Sequence, residues 1–376
     1  MASRLTSVLC LLICLLASRG YAQDTLAPPE PVSVILLIGN GLGTAQVSSA
    51  FYYGEETSHF ARFQRMGLVN TSSASHTVTD PAAAATAMAT GVQTYNRAIA
   101  YGPDTVPVPS ILEQLRYDEG YKTGLVSLTS ITHASTASFY AHAQDRDHHE
   151  DIASQLATSG VDFFAGGGLN YFTHRKDGRN LYRELEGKGY HLDTIGLSPT
   201  NINRKNGYLL APESLPTKAE GRQNFLPDAT RVGLDYFSRQ ESPFFFVLEG
   251  PYIDRAGHAQ SDTLLMQEMA DFDATLGILL DYVDAHPNTL LVVAGNHETG
   301  GLRIGKRYES TLLGPKREIP TDVALEFSTR EHSAGLVPIF ARGPGEEHFS
   351  GIYPNNEIYH RLLKALNSGK EETAAR

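Results

Sequence analysis

Asp254 and His258 stand four residues apart, the spacing that sets two side chains on one side of a helical turn. A carboxylate and an imidazole placed this way are donors of the kind that hold zinc. A second group, Asn40, Glu249 and the pair Asn296-His297, falls just after short apolar runs at Val32–Ile38, Phe244–Leu248 and Thr289–Val293. Ligands of open α/β sheets gather at the carboxyl ends of the strands, so topology alone expects these positions to converge. A third feature is the stretch Thr79-Asp80-Pro81-Ala82-Ala83-Ala84-Ala85-Thr86-Ala87-Met88-Ala89-Thr90-Gly91. Asp80 reads as a helix N-cap, Pro81 as the first helical residue and Gly91 as the stop. Proline offers neither a hydroxyl nor a backbone N–H, so position 81 can supply no nucleophile and no anion-binding donor. Arg146, in A-H-A-Q-D-R, carries a planar fork suited to phosphate, although alone it reads as an ordinary surface arginine. His148 and His149 follow it with no assigned role.

The elements that must position these residues alternate between strand and helix. Besides the three runs above, Thr123–Leu128, Val161–Ala165 and Val337–Ala341 are short, apolar and of buried-strand type. Leu265, Met269, Phe272, Leu276, Leu279 and Val283 recur at spacings of four and three, one apolar face of a long helix that reads as core packing. The pattern predicts an α/β domain around a largely parallel central sheet flanked by helices.

Residues 1–22 read as a secretory signal: Arg4, an apolar run from Val8 to Ala17, then Gly20-Tyr21-Ala22 as a small-residue cleavage site. The run is far short of the roughly 20 residues that span a bilayer, so no membrane anchor is expected in the mature chain. Export to the periplasm or the extracellular space follows, with residues 23–376 as one domain. Both cysteines, Cys10 and Cys14, fall within the signal, which leaves a mature chain without disulfides. Without Arg4 and Arg19 the chain has 29 basic against 42 acidic side chains, a net charge of −13. Such a balance argues against nucleic acid and anionic membranes as partners.

Six motifs, in order, resemble those of the alkaline phosphatase family, most of all its compact bacterial members. They are I-G-N-G-L-G (Ile38–Gly43), the Thr79–Gly91 stretch, T-H-A-S-T-A-S-F-Y-A-H (Thr132–His142), E-G-P-Y-I-D-R-A-G-H (Glu249–His258), N-H-E-T-G-G-L (Asn296–Leu302), and His332 ahead of V-P-I-F-A-R-G-P-G (Val337–Gly345). The likeness extends from Val32 to Leu366. It implies a three-layer α/β fold, a homodimer as in many relatives, and two zinc ions and a magnesium beside a serine that becomes phosphorylated.

Residue by residue, the resemblance places Asp254, His258 and His332 at the first zinc, with all three types intact. The second zinc falls to Asn40, Asn296 and His297, where the family pattern has two aspartates and a histidine. Magnesium falls to the Asn40 position, Ser135 and Glu249, with His133 nearby. Arg146 matches the arginine that clasps the substrate phosphate, and Pro81 stands where the serine is expected. Neutral amides bring no charge to offset a dication, so the expectation is one zinc, a weak or empty second zinc site and no firmly held magnesium. The reading that follows is an exported, catalytically defective protein that retains one zinc and takes phosphate or a small phosphorylated molecule. The alternatives are a divergent hydrolase using zinc-bound water and an active metal-dependent phosphomonoesterase.

Overall fold

A computed structural model describes residues 31–54, 57–310 and 314–374. Its strands are β1 (Ser33–Gly39), β2 (Arg65–Asn70), β3 (Lys122–Ser130), β4 (Phe163–Gly167), β5 (His191–Asp193), β6 (Asn206–Leu209), β7 (Phe244–Gly250), β8 (Thr289–Gly295), β9 (Glu298–Thr299), β10 (Leu302–Glu309), β11 (Arg317–Phe327), β12 (His332–Ser333), β13 (Val337–Arg342) and β14 (Gly351–Pro354). Ten of them form one sheet in the order β14-β2-β13-β8-β1-β7-β3-β4-β6-β5. Every pairing in it is parallel except those of β13, which runs antiparallel to β2 and β8. Two small ribbons, β10–β11 and β9–β12, lie outside it.

The strands at the centre are apolar on both faces because helices cover both. Along β1, Val34, Leu36 and Ile38 enter one core while Ile35 and Leu37 enter the other, the period of two that a pleated strand imposes. The helices Pro81–Thr90, Ile111–Glu119, His149–Ser159 and Glu357–Ala374 cover the first face. Phe225–Ser238, Tyr252–Ala259 and Asp262–Ala285 cover the second. The result is the α/β domain that the sequence pattern predicts, in the three layers that the resemblance implies.

All six apolar runs are strands, and the stripe from Leu265 to Val283 is the buried face of the Asp262–Ala285 helix. The Pro81 helix also forms as its signals require. Asp80 Oδ1 accepts from Ala83 N at 3.0 Å, Pro81 opens the helix, and Gly91 closes it at φ +74°. All ten of its residues are buried, so the alanines are the sizes that fit between neighbours. Strands β2, β5, β6 and β14 and the ribbons lack the sequence signal: they are short, or polar enough to read as loop. The signal segment lies outside the described residues. Among the described residues no helix is long and apolar enough to cross a membrane.

The stretch between His133 and Arg146 is fastened by His142, whose Nε2 lies 3.1 Å from Glu113 Oε1 and whose Nδ1 lies 2.9 Å from the Ala100 carbonyl. Burial alone would lower the His142 pKa, but the Glu113 bond and charge together with the Ala100 carbonyl reverse it and the net shift is upward. For Glu113 burial pulls upward, and His142 with the Ser110 N–H reverses it, a net shift downward. The pair's stabilisation is therefore lost below Glu113's ordinary range, is full just below His142's ordinary value of 6.5, and fades as pH rises through the raised folded value. His142→Gln should cost about 1 kcal/mol at mildly acid pH after solvent screening is allowed for. Urea midpoints of parent and variant across pH would show the gap closing on the alkaline side; a constant gap would refute the pairing.

Candidate active site

Register places the site. Gly39 of β1 is level with Gly250 of β7 and Gly295 of β8, so Asn40, Glu249 and Asn296 emerge together at the carboxyl ends of adjacent strands. Gly41, just beyond, has φ +81°, and a Cβ on it would lie 2.7 Å from Asp254 Cα. Only glycine lets this turn press against the Tyr252–Ala259 helix, which carries Asp254 and His258 on one side as their spacing predicts. Gly257 on the same helix has the same role toward β9, since its Cβ would meet the Thr299 carbonyl oxygen at 2.8 Å.

Asp254 is the hub of the imidazoles. Its Oδ1 accepts from Thr299 Oγ1 at 2.5 Å and lies 3.4 Å from His258 Nε2 and 3.5 Å from His332 Nε2. The opposite nitrogens face backbone carbonyls, His258 Nδ1 to Arg330 at 2.5 Å and His332 Nδ1 to Thr79 at 2.9 Å. A carbonyl can only accept, so both Nδ1 atoms carry hydrogen and both Nε2 atoms point at one place. That is the orientation a metal-binding histidine needs. The Asp254 bond lifts His258 to about 9. Burial would lower His332, but the Asp254 bond and charge with the Thr79 carbonyl together raise it. Burial would raise Asp254, yet His258 and His332 hold it well below the usual carboxylate range.

His297 also joins the imidazole cluster. The resemblance assigns it with Asn40 and Asn296, and its ring stacks on His332 at a centroid distance of 3.8 Å. The ligand atoms of Asp254, His297 and His332 all lie within 4.8 Å of one another. The cause is local: the His297 N–H is bound by Asn296 Oδ1 at 2.8 Å, and its Nδ1 is 3.2 Å from Thr299 Oγ1. Its Nε2 is buried without a hydrogen-bond partner among the described residues, and burial pushes its pKa down to about 3. An orphaned, neutral Nε2 beside Asp254 and His332 fits a zinc ion, as does the set Asp254, His258 and His332.

The oxygen set expected for the second zinc and magnesium does not fit those ions. Asn40 Nδ2 points at Glu249 Oε1 (3.2 Å), and Asn296 Nδ2 points at Asn40 Oδ1 (3.0 Å). Amide hydrogens thus occupy the directions in which a cation would need lone pairs. Burial raises the Glu249 pKa despite the interactions with Ser135, Ser127 and Asn40. Ser135 is fully buried beside Glu249. His133 does not turn to Glu249; its Nε2 meets Arg146 Nη2 at 3.0 Å.

Pro81 directly follows the two residues that reach the imidazole cluster and Arg146. The carbonyl of Thr79 holds His332, and Asp80 Oδ2 accepts from Arg146 Nη1 at 3.2 Å. The Thr79 hydroxyl is turned to the Asp80 carbonyl at 3.1 Å, so it does not stand in for the missing one. Burial, then the Arg146 charge, push His133 down to about 3 and keep it a neutral acceptor for that arginine. Three contributors escaped the sequence reading. Thr299 follows His297 by two residues on β9, Ser127 is a hydroxyl within an apolar strand, and Asp80 anchors Arg146 as well as capping a helix. Period-two alternation could have flagged the first two.

The alkaline phosphatase family model matches residues 32–317. Alkaline phosphatase 3 of Bacillus subtilis is 30% identical, over 90% of this chain and 89% of its own length. The streptomycin-6-phosphate phosphatase of Streptomyces griseus is 28% identical over 93% of each. The solved alkaline phosphatase of the Antarctic bacterium TAB5 superposes with a TM-score of 0.85 at 42% identity, covering 91% of this chain and 99% of that one. On the family match over most of the chain and these relatives, the protein belongs to the alkaline phosphatase family.

Proposed function

We propose that this chain is an exported member of the family that has lost phosphate monoester hydrolysis and retains a one-zinc pocket for phosphate or a small phosphorylated molecule. The observation that carries the reading is Pro81. It opens a buried helix directly after Thr79, which holds His332, and Asp80, which holds Arg146, at the position where the family pattern has its nucleophile. No phosphoryl ester can form on its side chain, and no backbone N–H is available there for an anion. Zinc in the Asp254, His258 and His332 set, with His297 against it, would supply positive charge. Arg146, steadied by Asp80 and His133, supplies a second positive group for phosphate oxygens.

The intact imidazole cluster favours a second reading, a hydrolase in which water attacks the substrate directly and no covalent protein intermediate forms. Acid quench of the zinc-supplemented protein with a labelled monoester at alkaline pH is expected to leave no stoichiometric label on the chain. Label on Thr79 or a neighbouring hydroxyl would reveal a replacement nucleophile and refute the defective reading. Steady turnover without label would favour the second.

A further inference from the structure

The amides of Asn40 and Asn296 belong to a chain whose direction the backbone dictates. The N–H groups of Gly41 and His297 can only donate, and both point at one atom, Asn296 Oδ1, at 3.1 and 2.8 Å. Asn296 must therefore turn its Nδ2 toward Asn40 Oδ1. Asn40 in turn must aim its own Nδ2 at Glu249 Oε1, while Ser127 Oγ donates to Glu249 Oε2 at 2.8 Å. Flipping either amide would set donor against donor, so the assignment is determined by the network itself. The chain ties together the carboxyl-end residues of β8, β1, β7 and β3, and Asn40, Asn296, Glu249 and Ser127 are each at most 1% exposed.

Carboxylates at positions 40 and 296 would reverse the balance. Their oxygens would inherit separations of 3.0 Å from each other and 3.2 Å from Glu249, three buried anions in a row. Such a row is strongly unfavourable unless cations lie among its members.

We propose that this amide chain replaces divalent metal as the fastening of the pocket floor, so that the four strand ends are held without an ion. The inference deepens the functional reading above, but melting decides it rather than turnover. A defective protein with a metal-dependent floor, or an active one with a metal-free floor, would each be recognised.

The test uses the full chain, stripped with chelator, with magnesium chloride as the probe. Magnesium prefers oxygen donors and so does not report on the imidazole cluster. The parent should melt within about 1 °C of the same temperature with and without magnesium. Asn40→Asp/Asn296→Asp should melt more than about 5 °C lower in chelator and recover most of that loss when magnesium is added. A parent raised by magnesium, or a double variant as stable as the parent in chelator, overturns the proposal. If the double variant is not recovered folded, Asn40→Asp, which sets one new carboxylate against Glu249, decides by the same two criteria with a smaller shift.

Discussion

The triple variant Pro81→Ser/Asn40→Asp/Asn296→Asp is expected to hydrolyse a phosphate monoester about a thousandfold faster than the parent, while Pro81→Ser alone changes it by less than about tenfold. Serine at the first helical position returns both a hydroxyl and an N–H, just after Thr79, which holds His332, and Asp80, which holds Arg146. Yet a serine hydroxyl is a weak nucleophile unless a base or metal lowers its pKa. The second-zinc positions hold neutral amides committed to each other and to Glu249. The two aspartates alone recreate a charged oxygen set with nothing to attack the substrate. Parts that act as one unit give strongly non-additive effects, so the gain should be confined to the triple variant. Initial rates with zinc and magnesium at alkaline pH provide the comparison. High activity in the parent, or in Pro81→Ser, would mean that Asn40 and Asn296 serve as adequate ligands and that the defective reading is wrong.

The second large effect concerns the imidazole cluster. The parent should retain about one zinc per chain after dialysis, and His332→Ala should lose it, a fall of at least about tenfold in bound metal. His332 is the residue to test because it belongs to both candidate donor sets, with Asp254 and His258 and with Asp254 and His297. Its removal also frees the Thr79 carbonyl that aims it. Metal analysis of parent and variant decides the matter, and an unchanged zinc content would remove His332 from the site.

Much of this molecule can be read from its letters, for identifiable reasons. The central strands are sheathed on both faces, so their sequences are unbroken apolar runs, and the polar residues that follow must sit at the sheet's carboxyl edge. Asp80, Pro81 and Gly91 each act on their immediate neighbours, so the helix they bound is a local matter and was legible. The destination of His297 was not. It depends on the side to which Asn296 binds the following N–H and on a threonine two residues later, and no spacing rule contains either. The ribbons escaped for another cause: β10 and β11 consist of half-exposed and exposed positions and carry many charges, a composition shared with loops. Nor could the antiparallel course of β13 be read from an apolar run that looks the same in either direction.

The Gly41 N–H also governs how the protein ages. An asparagine followed by glycine ordinarily loses its side-chain amide when the glycine nitrogen closes on the side-chain carbonyl carbon and a cyclic imide forms. Here that nitrogen donates its hydrogen to Asn296 Oδ1, and the Asn40 side chain is gripped at both ends. The turn cannot swing either group into line, because Gly41 lies against the backbone of Asp254. Cyclisation therefore has to wait for the pocket floor to open, and position 40 keeps its amide for as long as the fold lasts.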